Sequence, residues 1–216
     1  MLREYHTRVR GECRRLLWVP YLLLRGGVEG RVFAYEAALS PMAAKPWRRL
    51  LGVSRPPPAD LMEPGLPGRG TVISPRVRSV GEFEELVRGA CRSLEEEPAR
   101  PAFRVRAPGK RPAFYSVIRM MLGERLLFPG RRRNVIQVEA TEGLDVRLAR
   151  EVCRRLGELM AGGLEVEGVC YRPYCLDGEL AGLDGAGDEH WRVLRKLASE
   201  KHVWDFIVSR LRMTEA

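Results

Sequence analysis

Catalytic groups work in sets, so the histidines, cysteines and paired acids are the first places to look for chemistry. His6, His190 and His202 are scattered, and the last two are far from the four-residue spacing that puts two imidazoles on one helical face around a metal. Cysteines stand at 13, 91, 153, 170 and 175, with no CxxC pair among them. Cys91 and Cys153 fall on apolar helical faces and read as small core residues. Cys170 and Cys175, in "CYRPYC", could close a small disulfide loop, while a zinc ion there would need two further ligands that the sequence does not offer. Glu165 and Glu167 alternate along a strand and so face one way. With Glu139 they are the carboxylates a Mg²⁺-dependent nuclease would use, against the simpler reading of a solvated edge-strand face. The chain has no Gly-rich phosphate loop and no G-x-S-x-G elbow, and "GLDGAGDEH" matches neither phosphate-loop spacing. A Rossmann methyltransferase fingerprint is missing too. The expectation is a protein without metal, cofactor or catalytic set.

Positive charge is the stronger signal. Net charge is +9, and 33 of the 37 cations are Arg. Arginine pairs bidentately with phosphate and stacks on bases. Its excess over lysine also fits a GC-rich genome. Asn134 and Gln137 are the only side-chain amides, as in a hyperthermophile, but neither origin demands a net positive charge. The cations concentrate. In "RPAFRVRAPGKRPAF", Phe103 and Val105 alternate with Arg104 and Arg106, and a Pro-Gly break carries Lys110 and Arg111. Arg119 and Arg125 follow on a predicted helix, then Arg131, Arg132 and Arg133 in "GRRRN". Glu124 is the only acid between Arg104 and Arg133. Like charges gathered this way repel unless a partner neutralises them, which points to nucleic acid. Tyr115 is a candidate stacking platform for an unpaired base, and Phe114 a core residue beneath the loop. Arg76 and Arg78, ending an earlier strand, extend the basic surface.

The elements that must position these residues read as α+β, a mixed α/β arrangement. "LLWVPYLLLRGGVEGRVFAYEAAL" is a hairpin, and "SPMAAKPWRRLLG" a helix capped by Ser40 and shortened by Pro46. Together they make a small N-terminal module, residues 1–53. Residues 54–70, "SRPPPADLMEPGLPGRG", read as a Pro/Gly-rich linker. Residues 71–216 read as a β-α-β-α-β-α-β layered domain with a C-terminal helix. Its strands are "TVISPRVR", the Arg104 strand, "NVIQVEA" and "LEVEGVCY". The first helix has Ser79 and Glu82 at capping-box spacing and a stripe of Phe83, Leu86, Val87, Ala90, Cys91 and Leu94. "FYSVIRMMLGERLL" is the second helix. The third is capped by Asp145 and stopped by Gly162–Gly163. In the tail, Asp188 caps a helix carrying Trp191, Leu194, Leu197, Trp204, Ile207 and Leu211, a stripe that docks on its own domain or serves a homodimer. No apolar run reaches the ~20 residues of a membrane helix, and no secretory signal is read, so no membrane partner and a cytoplasmic location are expected.

Residues 71 to about 143 resemble the THUMP domain, an RNA-binding module of tRNA- and rRNA-modifying systems. The resemblance rests on "ISPRVRSVGEFEELVRGACRSL", "PAFRVRAPGKRP" and "YSVIRMMLGERLLFPGRRRNVIQVEATEGLDVRL", although the family's Asp before the last strand has no counterpart in "LLFPGRRRN". It implies recognition of the acceptor end of tRNA by a stand-alone adaptor that presents the RNA to a separate modifying enzyme, such as an acetyltransferase. The implied RNA contacts are Arg104, Arg106, Lys110, Arg111, Arg119, Arg131, Arg132, Arg133 and Tyr115. Rival readings from the same residues are a single-stranded DNA binder, a ribonucleoprotein subunit and the nuclease.

Overall fold

The run Leu16 to Leu24, LLWVPYLLL, has no charged residue, and a strand of that composition needs cover on both faces. In the computed structural model, which describes residues 2–96, 101–106, 137–142, 144–187 and 190–214, it forms the centre of a mixed sheet. The strands are β1 (Glu4–Thr7), β2 (Leu16–Gly26), β3 (Arg31–Glu36), β4 (Val53–Ser54), β5 (Met62–Pro64), β6 (Thr71–Val72), β7 (Pro101–Arg106), β8 (Gln137–Glu142), β9 (Leu164–Cys175) and β10 (Ala181–Gly182). The helices are α1 (Val80–Glu96), α2 (Leu144–Ala161), α3 (His190–Ala198) and α4 (Lys201–Thr214). The fold is α+β. Eight strands form one sheet in the order β4-β3-β2-β9-β1-β5, with β10 on β9 and β6 on β2.

β2 is antiparallel to β3 and β9, while β1 runs parallel to β9 and β6 parallel to β2. Its alternation sorts two cores. Leu16, Trp18, Leu22 and Leu24 pack with Phe83, Val87 and Leu94 of α1 and Ala149 and Leu156 of α2. Leu17, Val19, Tyr21 and Leu23 pack with Leu194 and Leu197 of α3 and Val203, Ile207 and Leu211 of α4. The expected C-terminal stripe is thus buried inside its own unit. Pro20 sits where the neighbour of β2 changes, since β6 pairs with Leu17 and Trp18 and β3 begins at Tyr21. Its carbonyl accepts the Ala37 N–H (2.9 Å) on that side, so the missing proline donor interrupts no bond to β9.

Several expectations need correction. The chain divides into Met1–Glu97 with Asp145–Ala216, and Pro98–Leu144 as an insertion, rather than at residues 54–70. The hairpin β2–β3 forms as read, but it is the middle of the large sheet and not a separate module. Residues 54–70 are a strap across that sheet: β5 pairs with β1, and the Trp18 indole N–H donates to the Arg69 carbonyl (2.5 Å). The four strands expected in one layered domain are split: among the described residues β7 and β8 pair with each other, while β6 and β9 join the large sheet. Of "TVISPRVR" only Thr71–Val72 is strand; Pro75 withholds a ladder donor.

The helix expected after Ser40 is two 3-10 segments, Ser40–Met42 and Pro46–Gly52, with no side-chain cap from Ser40. The C-terminal helix is likewise two. The break falls at Glu200, whose carboxylate accepts the Ala44 N–H (3.0 Å) and the Arg48 guanidinium (3.0 Å) and whose carbonyl receives the Val203 and Trp204 N–H groups. α1 starts as read: Ser79 Oγ accepts the Glu82 N–H (3.2 Å). α2 begins at Leu144, so Asp145, the expected cap, falls within the helix itself. The cap expected from Asp188 and the helix at "FYSVIRMMLGERLL" lie outside the described residues.

The cysteines pair differently from the expectation. Disulfides join Cys13 to Cys175 and Cys91 to Cys153, leaving Cys170 as a buried thiol. Cys170 and Cys175 cannot join, because five residues along β9 put them on opposite faces and about 17 Å apart. Cys91 and Cys153 do lie on the helical faces read as apolar, and there they staple α1 to α2 at the root of the insertion. Closing loops of 62 and 162 residues in the unfolded chain contributes about 4 and about 5 kcal/mol in the chain-entropy account. Replacing Cys91 and Cys153 by Ala should lower the unfolding free energy by about 4 kcal/mol in denaturant titrations without reductant. The same titrations with reductant should bring wild type and variant together at that bond.

Candidate nucleic-acid interface

Arg76 and Arg78, read from the sequence as basic surface, lie with Arg210 around one pocket, and backbone hydrogen bonds place the loop that carries the first two. Residues 73–78 cross from one face of the sheet to the other: Ile73 is buried in the α3/α4 core and Val77 in the α1/α2 core. The loop is held by the Ile73 N–H on the Trp18 carbonyl (3.0 Å) and by the Arg76 and Val77 N–H groups on the Ala37 carbonyl (2.7 and 3.2 Å). Ala37 is positioned in turn by Glu36, which is fully buried. One Glu36 oxygen accepts the N–H of Ala38 (2.7 Å) and Leu39 (2.8 Å), and the other accepts that of Ser40. Burial pushes the Glu36 carboxyl above its ordinary value, and the Leu39, Ala38 and Ser40 N–H groups pull it part of the way back.

With its backbone tied, the loop leaves Arg76 and Arg78 exposed. α4 supplies the other wall. Val203, Ile207 and Leu211 face inward, so Phe206 and Arg210, four residues apart, lie together on the flank of the helix. The Arg76 guanidinium carbon is 5.0 Å from the Phe206 ring centroid, and that of Arg210 is 5.3 Å from it. Such contacts fix the guanidinium planes and leave their N–H edges for an acceptor. Arg78 donates Nε to the Pro75 carbonyl (3.0 Å), and its backbone N–H reaches the Glu82 carboxylate (2.6 Å). Ser74 and Pro75 complete the lining of a pocket of about 460 Å³. Three cations and one acid line it, a balance of +2.

Arg76 and Arg78 were read from the sequence as basic surface, but Phe206 and Arg210 were not. Their signal was an aromatic residue and an arginine at helical spacing beside the apolar stripe. Arg104 and Arg106 lie on β7, in register with Glu139 and Gln137 of β8. Lys110, Arg111, Tyr115, Arg119, Arg131, Arg132 and Arg133 lie outside the described residues, as do Phe114 and Arg125. The stretch resembling THUMP is divided between the two units, with α1 in one and β7 and β8 in the other.

Other clusters offer less. The bulge between β9 and Leu23/Leu24 of β2 falls at Glu167, and it reverses the strand's alternation: Leu164 and Val166 before it and Val169 and Tyr171 after it all pack in the α1/α2 core. Glu165 and Glu167 therefore do not form the regular alternate pair expected, and Glu167 is bound by Arg25 Nε (2.6 Å). The run "GLDGAGDEH" has a structural use. Asp184 accepts Arg172 Nε (2.6 Å) and the Ala186 N–H (3.2 Å), and Thr7 Oγ1 approaches it (3.4 Å). Arg172 lies over the Tyr21 ring, whose hydroxyl meets that of Tyr174 (2.6 Å). Arg172 and Asp184 are 3% and 4% exposed, so this network is sealed in the core, and burial pushes the neighbouring Cys170 thiol up to about 12. Among the described residues, Cys13, Cys175 and Asp177 are the metal-ligating group close enough to share an ion, but the two cysteines are already joined. A larger cleft of about 700 Å³ is walled by Val28, Phe33, Val152 and Leu156, and its rim acids Glu29 and Glu158 are paired with Arg31 and Arg154. No described helix is long and apolar enough to cross a membrane. Comparison of the chain with protein-family models, with curated proteins and with solved structures finds no match.

Glu36→Gln tests the support beneath the pocket. The amide would point a donor at the Ser40 N–H, so the variant should lose about 1–3 kcal/mol at low pH. The folded carboxyl is raised above its unfolded value, so its stabilising contribution is present below the unfolded pKa and lost as pH rises through the folded one. Denaturant titrations from about pH 4 to about pH 7 should therefore show the gap between wild type and Glu36→Gln narrowing.

Proposed function

We propose that this chain is a non-catalytic RNA-binding protein that holds tRNA on an arginine-rich face and presents it to a separate modifying enzyme. The observation that carries the reading is the pocket in which Arg76, Arg78 and Arg210 gather around Phe206 with a single acid beside them. Three guanidiniums gathered in a concavity with one acid make a locally positive site that attracts an anion. Phosphate, which accepts two parallel N–H bonds from arginine, is the anion they suit best. The +9 charge of the chain and the run of cations from Arg104 to Arg133 support the same partner class, as does the resemblance of residues 71–143 to THUMP. The cytosol is the proposed compartment. Two disulfides fit it if the chain comes from a hyperthermophile, whose intracellular proteins tolerate them.

Filter binding or gel shifts with tRNA should show affinity falling steeply with salt. Charge reversal of Arg76 and Arg210 together should weaken binding at least tenfold and reduce the salt slope by about 1 to 2, with the thermal melt unchanged. Reversal of Arg104, Arg106 and Arg111 should weaken it further. A single-stranded DNA oligonucleotide that competes as well as tRNA would move the reading to DNA. Binding undiminished in both variants would overturn it.

A further inference from the structure

A surface that follows a nucleic-acid backbone is a stripe, because internal phosphates are singly charged and repeat along the chain. The Arg76–Arg78–Arg210 site is instead a pocket, walled by the 74–78 loop on one side and α4 on the other. Its balance is +2: three guanidiniums against the Glu82 carboxylate, which is occupied by the Arg78 backbone N–H (2.6 Å). An internal phosphodiester carries one negative charge, whereas a phosphate monoester at neutral pH carries about 1.5 to 2. The charge of the pocket therefore matches the monoester. The site is an open depression of about 460 Å³, within the range of small-molecule sites.

The ring beneath it adds a second criterion. Phe206 carries the guanidiniums of Arg76 and Arg210 at 5.0 and 5.3 Å, so stacking on this site takes place on a guanidinium plane rather than on the phenyl face. Arginine planes stack bases as aromatic rings do. Phosphate donors and a stacking plane within one concavity suit the last nucleotide of a chain, whose base is free to turn inward.

We infer that this pocket binds the phosphorylated end of a nucleic-acid chain, a terminal phosphate monoester with its base stacked on Arg76 or Arg210. The inference rests on the RNA-binding reading. Arg78 and the N–H edges of Arg76 and Arg210 hold the phosphate, and Glu82 fixes the Arg78 backbone.

The test uses the whole chain and one short single-stranded RNA in three forms, with a 5′-phosphate, a 3′-phosphate or hydroxyls at both ends, followed by fluorescence anisotropy. The expected result is one phosphorylated form binding at least tenfold tighter than the hydroxyl form, with that gain lost in Arg76→Ala/Arg210→Ala while the melting temperature holds. The matching nucleoside monophosphate should erase the gain when added as competitor, and the nucleoside without phosphate should not. Equal affinity for all three RNAs, with binding still salt-dependent, overturns the terminal-phosphate inference and leaves RNA binding standing. No binding of any of the three RNAs overturns the terminal-phosphate inference, and no binding of tRNA in the same assay overturns the RNA-binding reading as well.

Discussion

The antiparallel pairing of β2 with β9 is the constraint on which the rest of the molecule depends. It joins residues near one end of the chain to residues some 150 positions later, over the whole length of β2. Both faces of β2 are apolar, so the pairing creates two hydrophobic surfaces at once, and each must be covered. α1 and α2 cover one, α3 and α4 the other. The Cys13–Cys175 disulfide closes the β9 end of this axis. The insertion Pro98–Leu144 interrupts the chain between two helices of one layer, and the Cys91–Cys153 bond ties those helices together at its root.

Within that frame the pocket follows from one missing donor. Pro20 has no N–H to offer the neighbour of β2, and at that point β6 has ended and β3 has not begun. The gap is where residues 73–78 pass from one core to the other, with Ile73 bonded to Trp18 and Arg76 and Val77 to Ala37. Glu36 stiffens the same corner by gathering the N–H groups of residues 38 to 40, which a 3-10 segment leaves without partners. A buried carboxylate is costly, and these donors offset part of that cost. The position of Arg76 is therefore set by backbone bonds in the core, and only its side chain is free to meet an anion.

Local features were legible in the sequence and long-range ones were not. The β2–β3 hairpin, the α1 stripe and its Ser79 cap, and the stop of α2 at Gly163 depend on residues a few positions apart. Periodicity and turn chemistry report those directly. Strand partners do not follow from periodicity, so the hairpin looked like a separate module and residues 54–70 like a linker. The cysteine pairs failed for the same reason: Cys13 meets Cys175 only because β2 and β9 align. At Glu167 a bulge shifted the alternation by one residue, which a period-two reading cannot see. Arg76 and Arg78 were visible as charge, while Phe206 and Arg210 became part of the site only through the docking of α4.

The arrangement of the three arginines also explains how the fold tolerates them. Side by side in water, guanidinium groups repel weakly, and salt screens them over about 8 Å. The Phe206 ring attracts two of them through its negative face, and the Pro75 carbonyl and Glu82 carboxylate engage Arg78 through its side chain and backbone. These contacts offset the repulsion without neutralising it, because only Glu82 carries a negative charge. A pocket built for stability alone would pair each arginine with an acid, as Arg154 and Arg155 are paired with Glu151 and Glu158 on α2. The contrast between these two arginine clusters in the same unit is the physical reason to place the anion in the first and not in the second.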